Sequence, residues 1–444
     1  MQEIDKKVQE LEKEIIYQIQ QVIKIKSIEE TPQKNMPFGE GVDRCLRYVL
    51  ELAKKLGFQV KYEDGYYGYV EMGAGKEIVG ILGHLDVVPE GDPSAWTYPP
   101  YEGAIDAGKI FGRGAIDDKG PTIGALYAMK IIKDLGYPMN KRIRLILGTN
   151  EETSWKGINR YKEREEIPIC GFTPDSDYPL IYAEKGLLQF QLTSNRGTDI
   201  SLFGGNAYNS VPDQCQYNNE DTKLIEALED MGFKYVTGKG FIKVVGKAAH
   251  SAKAWNGINA IVRLCMVLHK TGVRGEAIDF IAEMIEEDYY AQKVVGNCED
   301  VPSGKLTFNV ATINLSQEGQ SIGVDVRFPV TKNKDEIVTR IKAAAEKYGL
   351  TYKEIDYLAP LYVSTEDELV KKLRKIFEEE TGLDSMPIAT GGATYARAFK
   401  NFVAFGPLFP GKEKMAHQKD EYIEIKPLMQ SIKMYAKVIQ ELGK

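Results

Sequence analysis

The stretch IVGILGHLDVVPEGD, residues 78–92, begins as an apolar run and ends in polar and turn-forming residues. It places His84, one of only four histidines in the chain, two residues before Asp86. Side chains at positions i and i+2 of a β-strand point to the same side, so these two groups can share one task. The simpler interpretation is a strand end whose polar residues face solvent, and the rest of the chain decides between the two.

Length and composition indicate the general class of protein. The chain has 444 residues, more than one ordinary core accommodates, so two or three domains are expected. Its 43% apolar and 27% charged residues are typical of a soluble globular protein. Its formal net charge of -7 leaves no basic excess to neutralise phosphates, so we expect no nucleic-acid partner.

Nothing in the sequence indicates export or membrane insertion. The N-terminus mixes charges with apolar residues at helical spacing, which predicts an amphipathic helix with a core-facing stripe formed by Ile4, Val8, Leu11, Ile15, Ile19 and Val22. No apolar run reaches the roughly 18 residues of a membrane span, so we expect no membrane partner. The five cysteines form no CxxC pair and are odd in number, which favours a reduced, cytoplasmic protein.

The order of predicted elements favours an α/β domain. Apolar runs at 77–83 and 142–148 predict buried strands, and 167–172 is a third strand candidate. The segment 121–136 predicts a helix with Pro121 in its first turn and a glycine at its end. Strands that alternate with helices in this way are typical of a mostly parallel sheet.

A second pattern interrupts the first. From about residue 184 to residue 357, strands and helices are mixed as in an α+β layer, and the first pattern returns from residue 358. Insertion at a surface loop is well tolerated, so we predict one catalytic α/β domain interrupted by an inserted α+β lid domain. The predicted segments are 1–183 and 358–444 for the catalytic domain and 184–357 for the lid.

Acidic residues and a histidine recur in four further short segments near predicted strand ends or helix starts. They are GRGAIDDKG (112–120), TNEETSWKG (149–157), PDSDYP (174–179) and AHQKDE (416–421). In open α/β sheets, sites form beyond the carboxyl ends of the strands, so these separate loops can converge.

Clustered carboxylates raise one another's pKa values and coexist in ionised form only when cations compensate them. Two divalent ions would do so, and imidazole and carboxylate ligands without thiolate suit Zn²⁺, Mn²⁺ or Co²⁺. Each motif also has an ordinary interpretation: EE or DD pairs are common at solvated loop ends and helix starts. Asp118 and Lys119 could equally form a surface ion pair.

These motifs, in this order, resemble the co-catalytic metallopeptidases of the aminoacylase and carboxypeptidase type, and within them the bacterial dipeptidases of the PepV type. The resemblance runs through nearly the whole chain and implies a zinc-exopeptidase-like fold. It implies a two-metal centre in which Asp117 bridges the ions, His84 and Asp175 hold one, and Glu152 and His417 hold the other.

The same resemblance implies roles beside the metals. Glu151 is the expected general base, and Asp86 the partner that orients His84, as a carboxylate commonly does for a ligating histidine. It also implies a cis peptide bond between Asp117 and Asp118, which is rare outside proline.

In the predicted lid, the resemblance implies substrate-binding residues. His250 is the expected donor to the developing oxyanion, and Asn209 and Arg327 are expected to hold the substrate's C-terminal carboxylate. Arginine suits this because its planar fork binds carboxylate through two bonds, although Arg327 could instead be a strand residue that faces solvent. The glycine-rich ATGGATYARAF (389–399) resembles a substrate loop, with the expected contacts Gly391, Gly392 and Thr394; a tight turn before a helix is the alternative.

The sequence therefore predicts a metal-dependent dipeptidase that cleaves short unblocked peptides through a water bridging two metal ions. Zn²⁺ is the expected ion, with Mn²⁺ or Co²⁺ as alternatives. A deacylase of N-acyl amino acids shares this chemistry and stays open, as does a non-catalytic peptide-binding module. The predicted lid is longer than the single small lid of dimeric members of the family that the chain resembles, and by that resemblance we expect a monomer.

Overall fold

The structure is a computed structural model and describes residues 2–444. The chain divides into two compact units. The first runs to Tyr182 and continues through Tyr362–Ile388 and Thr394–Lys444, and the second comprises Ala183–Leu361 with Ala389–Ala393. Nothing in the sequence indicated that the short segment Ala389–Ala393 joins the second unit. The assignment of the segments 1–183, 184–357 and 358–444 to a catalytic and a lid domain stays a prediction.

A mixed sheet forms the frame of the first unit. Its central strands are parallel neighbours, in the order Arg142–Gly148, Ile78–His84, Cys170–Thr173 and Phe402–Ala404. Antiparallel strands extend it on both sides, namely Tyr67–Gly73, Gln59–Glu63 and Ile181–Glu184. The predicted α/β architecture is confirmed, and the carboxyl ends of its central strands lie at one edge.

Helices and short strands complete the first unit. The helices are Gln2–Ile23, Glu40–Lys55, Lys119–Asp134, Lys156–Arg164, Glu368–Thr381 and Ile425–Leu442, with short 3₁₀ turns at Pro93–Ala95 and Tyr395–Ala398. The additional strands are Ala104–Asp106, Lys109–Phe111, Ser176–Asp177, Pro407–Leu408 and Tyr422–Glu424, while Leu361–Tyr362 and Ile388–Thr390 lie at the unit boundaries.

The observed bounds follow the sequence pattern closely. Arg142–Gly148 matches its predicted bounds, and the helix Lys119–Asp134 begins two residues earlier than predicted. The third strand begins at Cys170, three residues later than predicted, and Pro168, which has no N–H group to donate, lies in the segment before it.

The N-terminal helix buries the stripe predicted for it except at Leu11, which is only partly buried. Ile4, Val8, Ile15 and Ile19 are all buried in the core of the first unit, where the helix packs against Lys119–Asp134 and Ile425–Leu442. Burial of such aliphatic side chains stabilises the fold by roughly 1.5–3 kcal/mol each.

The second unit is built on an antiparallel sheet with a core of its own. Its strand order is Tyr235–Gly238, Phe241–Val245, Gln214–Tyr217, Leu202–Gly204, Thr307–Ser316, Gly319–Phe328, Gly186–Ser194 and Thr351–Leu358. A two-stranded ribbon pairs Glu299–Asp300 with Gly304–Lys305. Its helices are Thr222–Asp230, Ala260–Lys270, Glu276–Phe280, Gln292–Val295 and Lys334–Glu346, with a 3₁₀ segment at Ser251–Asn256 and a π-helical turn at Ile281–Ile285.

Within residues 2–444, no helix is both long enough and apolar enough to span a bilayer.

Candidate metal centre

His84 is the last residue of the strand Ile78–His84, and its side chain is fully buried. Its Nδ1 lies 3.0 Å from the backbone carbonyl oxygen of Asp86 and 3.5 Å from the Asp86 carboxylate. Because a carbonyl oxygen only accepts, Nδ1 carries the proton and donates it. The Nε2 atom of the neutral ring is therefore left with a lone pair for a metal, and it lies 3.0 Å from Asp117 Oδ1.

Asp117 lies between the two histidines of the centre. Its Oδ1 faces His84 Nε2 at 3.0 Å, and its Oδ2 lies 3.1 Å from Nε2 of His417. The peptide bond from Asp117 to Asp118 is cis, as the family resemblance implies. One carboxylate with an oxygen towards each imidazole is the arrangement that a bridging ligand needs.

The residues after Asp117 are buried, so the surface ion pair considered for Asp118 and Lys119 is wrong. Asp118 Oδ2 accepts bonds from the His84 backbone N–H at 3.2 Å and from the Thr122 hydroxyl at 2.8 Å. The Lys119 ammonium donates to the carbonyl oxygen of Ile25 at 2.7 Å. These bonds fix the start of the helix beside His84.

Glu151 and Glu152 lie on the turn that follows the strand Arg142–Gly148. Asn150 shapes this turn, because its side-chain oxygen accepts the Gly157 N–H at 2.9 Å. The Glu152 backbone N–H donates to Asp86 Oδ2 at 3.1 Å, and its carboxylate lies 2.9 Å from His417 Nε2. Asp86 thus contacts both proposed metal ligands that flank it, His84 and Glu152.

The remaining predicted ligands complete the cluster. Asp175 follows the strand Cys170–Thr173, and its Oδ2 lies 3.7 Å from His84 Nε2. His417 is half-exposed and has a left-handed backbone conformation with φ of 64°. Ligand atoms of His84, Asp117 and Glu152 all lie within 4.8 Å of one another.

The carboxyl groups of the centre lie close together, and this changes their ionisation. Burial, with Glu152 and Asp117 nearby, raises the pKa of Glu151 to about 8, and burial likewise raises the pKa of Asp175 well above its usual value. Hydrogen bonds that the His417 imidazole donates to the Asp117 and Glu152 carboxylates raise its pKa to about 10. Divalent cations would relieve this crowding, so the donors fit the metal ions that the sequence predicted.

Glu421 was not predicted as a site residue. Its buried carboxylate pairs with Arg113 Nη1 at 2.7 Å and accepts the backbone N–H groups of Gly114, Ile116 and Asp117 at 3.0–3.2 Å. Burial and the nearby Asp117 raise its pKa to about 7. Glu421 therefore holds the loop that presents Asp117; its place in the same motif as His417 is the only sequence signal.

Tyr395 was also missed as a neighbour of the centre. Its ring packs edge-on at 6.1 Å from that of His84 and at 5.3 Å from that of Trp155, measured between centroids. Burial raises the pKa of its hydroxyl well above the usual value. Trp155 in turn donates to the Glu151 carbonyl oxygen at 2.7 Å, so these aromatic rings support the turn that carries the two glutamates.

Among the predicted lid residues, His250 precedes the 3₁₀ segment Ser251–Asn256. The Ala252 N–H donates to His250 Nδ1 at 3.1 Å, so Nδ1 accepts and Nε2 carries the proton of the neutral ring. Partial burial and the positive charge of Arg327 lower the pKa of His250, which favours that neutral form.

The other predicted substrate contacts are divided between the units. Asn209, Arg327, Gly391 and Gly392 belong to the second unit with His250, whereas Thr394 belongs to the first. Arg327 is only 5% exposed, so the alternative of a solvent-facing strand residue is wrong. Asn209 is exposed, and its carbonyl oxygen accepts the Ser251 N–H at 2.9 Å, next to His250.

Comparisons with known proteins agree with one another. A sequence profile of Peptidase family M20/M25/M40 matches residues 80–441. The chain is 38% identical to a Bacillus subtilis (strain 168) protein named "Putative dipeptidase YtjP", with 97% of each chain covered. It is 33% identical to a protein from Staphylococcus haemolyticus (strain JCSC1435) that bears the same kind of dipeptidase name, with 98% of each covered.

Solved structures share the fold at low sequence identity. Aminoacylhistidine dipeptidase from Vibrio alginolyticus is 14% identical with a TM-score of 0.61, over 97% of this chain and 96% of that one. The dipeptidase Dug1p from Saccharomyces cerevisiae is 12% identical with a TM-score of 0.61, over 100% and 98% of the two chains.

Proposed function

The chain belongs to peptidase family M20/M25/M40 and is a metal-dependent peptide hydrolase, and from that premise we propose that it is a dipeptidase that cleaves short unblocked peptides at a two-metal centre. The observation that carries the proposal is the position of Asp117, with one carboxylate oxygen 3.0 Å from His84 Nε2 and the other 3.1 Å from His417 Nε2. The dipeptidase names of full-length relatives support the choice of substrate.

We assign His84 and Asp175 to one ion, Glu152 and His417 to the other, and Asp117 to both. Nitrogen and oxygen donors without thiolate favour Zn²⁺, with Mn²⁺ and Co²⁺ as alternatives. When bound, two such ions polarise a carbonyl group and lower the pKa of a water molecule between them. The negative charges of Asp117, Glu152, Asp175 and Glu151 together balance two divalent cations.

Glu151 is the proposed general base. Its carboxylate is next to a proposed ligand in the sequence but is not needed as one. In the metal-free centre, burial raises its pKa to about 8. A base with a raised pKa can take a proton from the attacking water and hand it to the leaving amine. Asp86 supports this arrangement through its bond to the Glu152 N–H at 3.1 Å.

The proposed substrate contacts belong to the second unit, except Thr394, which belongs to the first. His250 in its neutral form has an Nε2–H that can donate to the oxyanion of the reacting carbonyl group. Arg327 and Asn209 are assigned to the C-terminal carboxylate of the substrate, and Gly391, Gly392 and Thr394 to its backbone.

Metal-dependent hydrolysis of a dipeptide panel tests the proposal. Metal-stripped protein is given back Zn²⁺, Mn²⁺ or Co²⁺ and assayed on free dipeptides and on their N-acetylated forms. We expect cleavage of the free dipeptides alone, and a loss of about 10²–10⁴-fold in kcat for Glu151→Ala, the range typical of a general base. Glu163→Ala, which removes an exposed carboxylate from the helix Lys156–Arg164, is the matched control.

Other outcomes would change the proposal. Cleavage of the acetylated compounds instead would make the protein a deacylase. Full activity in Glu151→Ala would remove that residue from its role, and binding of metal and peptide without cleavage would indicate a binding module.

A further inference from the structure

Arg327, on the strand Gly319–Phe328, is held by two partners in its own unit. Its Nε donates to Asp325 Oδ1 at 2.9 Å and its Nη2 to Asp325 Oδ2 at 3.1 Å. Its Nη1 donates to the carbonyl oxygen of Gly391 at 3.2 Å. The guanidinium group is therefore clamped by a carboxylate on one edge and by a backbone oxygen on another.

The guanidinium group has five N–H groups in a fixed plane. The three bonds to Asp325 and Gly391 use one on Nε, one on Nη2 and one on Nη1. One N–H then remains on each of the two Nη atoms. A carboxylate can accept both, because paired parallel N–H···O bonds are the preferred geometry of arginine with carboxylate.

Asp325 is well placed to fix this orientation. Its side chain is buried, with the residue 1% exposed. Gln189 lies directly opposite Asp325 on the neighbouring antiparallel strand, and its Nε2 donates to Asp325 Oδ2 at 2.9 Å. A buried carboxylate held from two sides cannot rotate freely. The orientation of Arg327 is thus set by the sheet itself, because all three residues lie on two paired strands.

Gly391, whose carbonyl oxygen accepts a bond from Arg327, is also held in place. The neighbouring Thr390 carbonyl oxygen accepts the Lys185 N–H at 2.9 Å, so this loop is tied to the second unit beside the strand Gly186–Ser194. A methyl group at Gly391 would lie 2.7 Å from Ala252 Cβ, two residues from His250. Only glycine lets the loop approach the His250 segment this closely.

We propose that Asp325 is a positioning residue that holds the Arg327 guanidinium so that one N–H on each Nη atom faces the C-terminal carboxylate of the substrate. The inference rests on the proposed function, since it requires a peptide with a free carboxylate. Asp325 does not touch the substrate; it acts through Arg327. Its loss should therefore impair recognition of the carboxylate and leave the hydrolytic chemistry in place.

The test compares a dipeptide with its C-terminal amide. In the metal-loaded wild type, kcat/KM for the free acid should exceed that for the amide. In Asp325→Asn, one acceptor becomes an NH₂ donor that opposes the guanidinium. We expect the acid-to-amide ratio to fall by about tenfold or more, the scale of one charge-assisted hydrogen bond, mostly through a higher KM for the acid.

Two further variants separate positioning from folding. Gln189→Ala removes a hydrogen-bond donor to Asp325 and should lower the acid-to-amide ratio less than Asp325→Asn does. If Asp325→Asn does not fold, the result for Gln189→Ala tests the positioning role instead. Asp356→Asn, an exposed carboxylate on the adjacent strand Thr351–Leu358, should keep the wild-type ratio. An unchanged ratio in the folded variants, or equal losses on both substrates, would overturn the inference.

Failure of the proposed function has a different signature. If the wild type cleaves neither substrate, calorimetric binding of the same two compounds to wild type and variants still gives the acid-to-amide ratio, now as dissociation constants. If the preference for the free acid is lost in Asp325→Asn, Asp325 positions Arg327 in a protein that binds the peptide without cleaving it. Binding by the wild type without any preference for the free acid would refute it.

Discussion

At the residue scale, the raised pKa values of His417 and Glu151 bear on how the centre exchanges protons for metal. Without metal, Asp117 and Glu152 raise the pKa of His417 to about 10, and burial raises that of Glu151 to about 8. Both groups therefore carry protons at neutral pH, whereas a ligating imidazole must be neutral. We expect metal uptake to release protons. We also expect the apparent metal affinity to rise with pH until the pH reaches the raised pKa of His417. Calorimetry in buffers of different ionisation enthalpy measures the released protons.

For His417, the direction of the linked change in stability follows from its raised pKa. Its pKa in the folded protein is raised, so its ion pairs stabilise the metal-free fold below the ordinary histidine pKa of 6.5, and this stabilisation is lost as pH rises through about 10. His417→Ala should release fewer protons, whereas His269→Ala, on the helix Ala260–Lys270 in the other unit, should release as many as the wild type. Equal proton release in all three proteins would contradict the assignment.

At the scale of elements, the motifs that follow predicted strands were the easiest to place. Apolar runs predict Ile78–His84 and Arg142–Gly148 on local grounds, and parallel strands bring their carboxyl ends together. The parallel pairing of these two strands puts His84 beside the start of the turn with Glu151 and Glu152. The ligand assignment itself came from a family resemblance, and it stays a proposal.

What the sequence did not predict depends on tertiary contacts. Glu421 looks like any acidic loop residue until the fold buries it under the backbone N–H groups of the Asp117 loop. His84 Nδ1 meets the carbonyl oxygen of Asp86 more closely than the carboxylate, at 3.0 Å against 3.5 Å. Backbone acceptors have no sequence signature, so only coordinates reveal them.

Asn309 is the central support of the loop that carries Asn209. Its Nδ2 donates to the carbonyl oxygen of Ser210 at 2.8 Å and to that of Tyr208 at 3.3 Å, and the side chain is buried. Asn309→Ala leaves these carbonyl oxygens unpaired, so we expect a loss of about 1–3 kcal/mol in the free energy of unfolding. Urea denaturation measures it.

The matched control for this variant is Asn314→Ala on the same strand, Thr307–Ser316, where the side chain is exposed. Substitutions at exposed positions usually change stability by less than about 0.5 kcal/mol. If the two variants unfold at the same urea concentration, Asn309 does not support the loop in the way its hydrogen bonds indicate.

At the scale of the whole molecule, each unit has a core of its own. The segment Ala389–Ala393 shows that sequence order alone does not divide the chain, because five residues from its last quarter join the second unit. The expectation of a monomer rests on the length of the predicted lid and stays a prediction.

All five proposed metal ligands, His84, Asp117, Glu152, Asp175 and His417, belong to the first unit. A ligand that binds only the folded form stabilises it by RT ln(1 + [L]/Kd), about 4 kcal/mol at a thousandfold excess over Kd. We therefore expect two thermal transitions in calorimetry, of which chelation lowers only one. Asn309→Ala, in the second unit, should lower only the other. A single transition that moves as a whole with both changes would mean that the two cores unfold together, and the metal would then stabilise the entire chain.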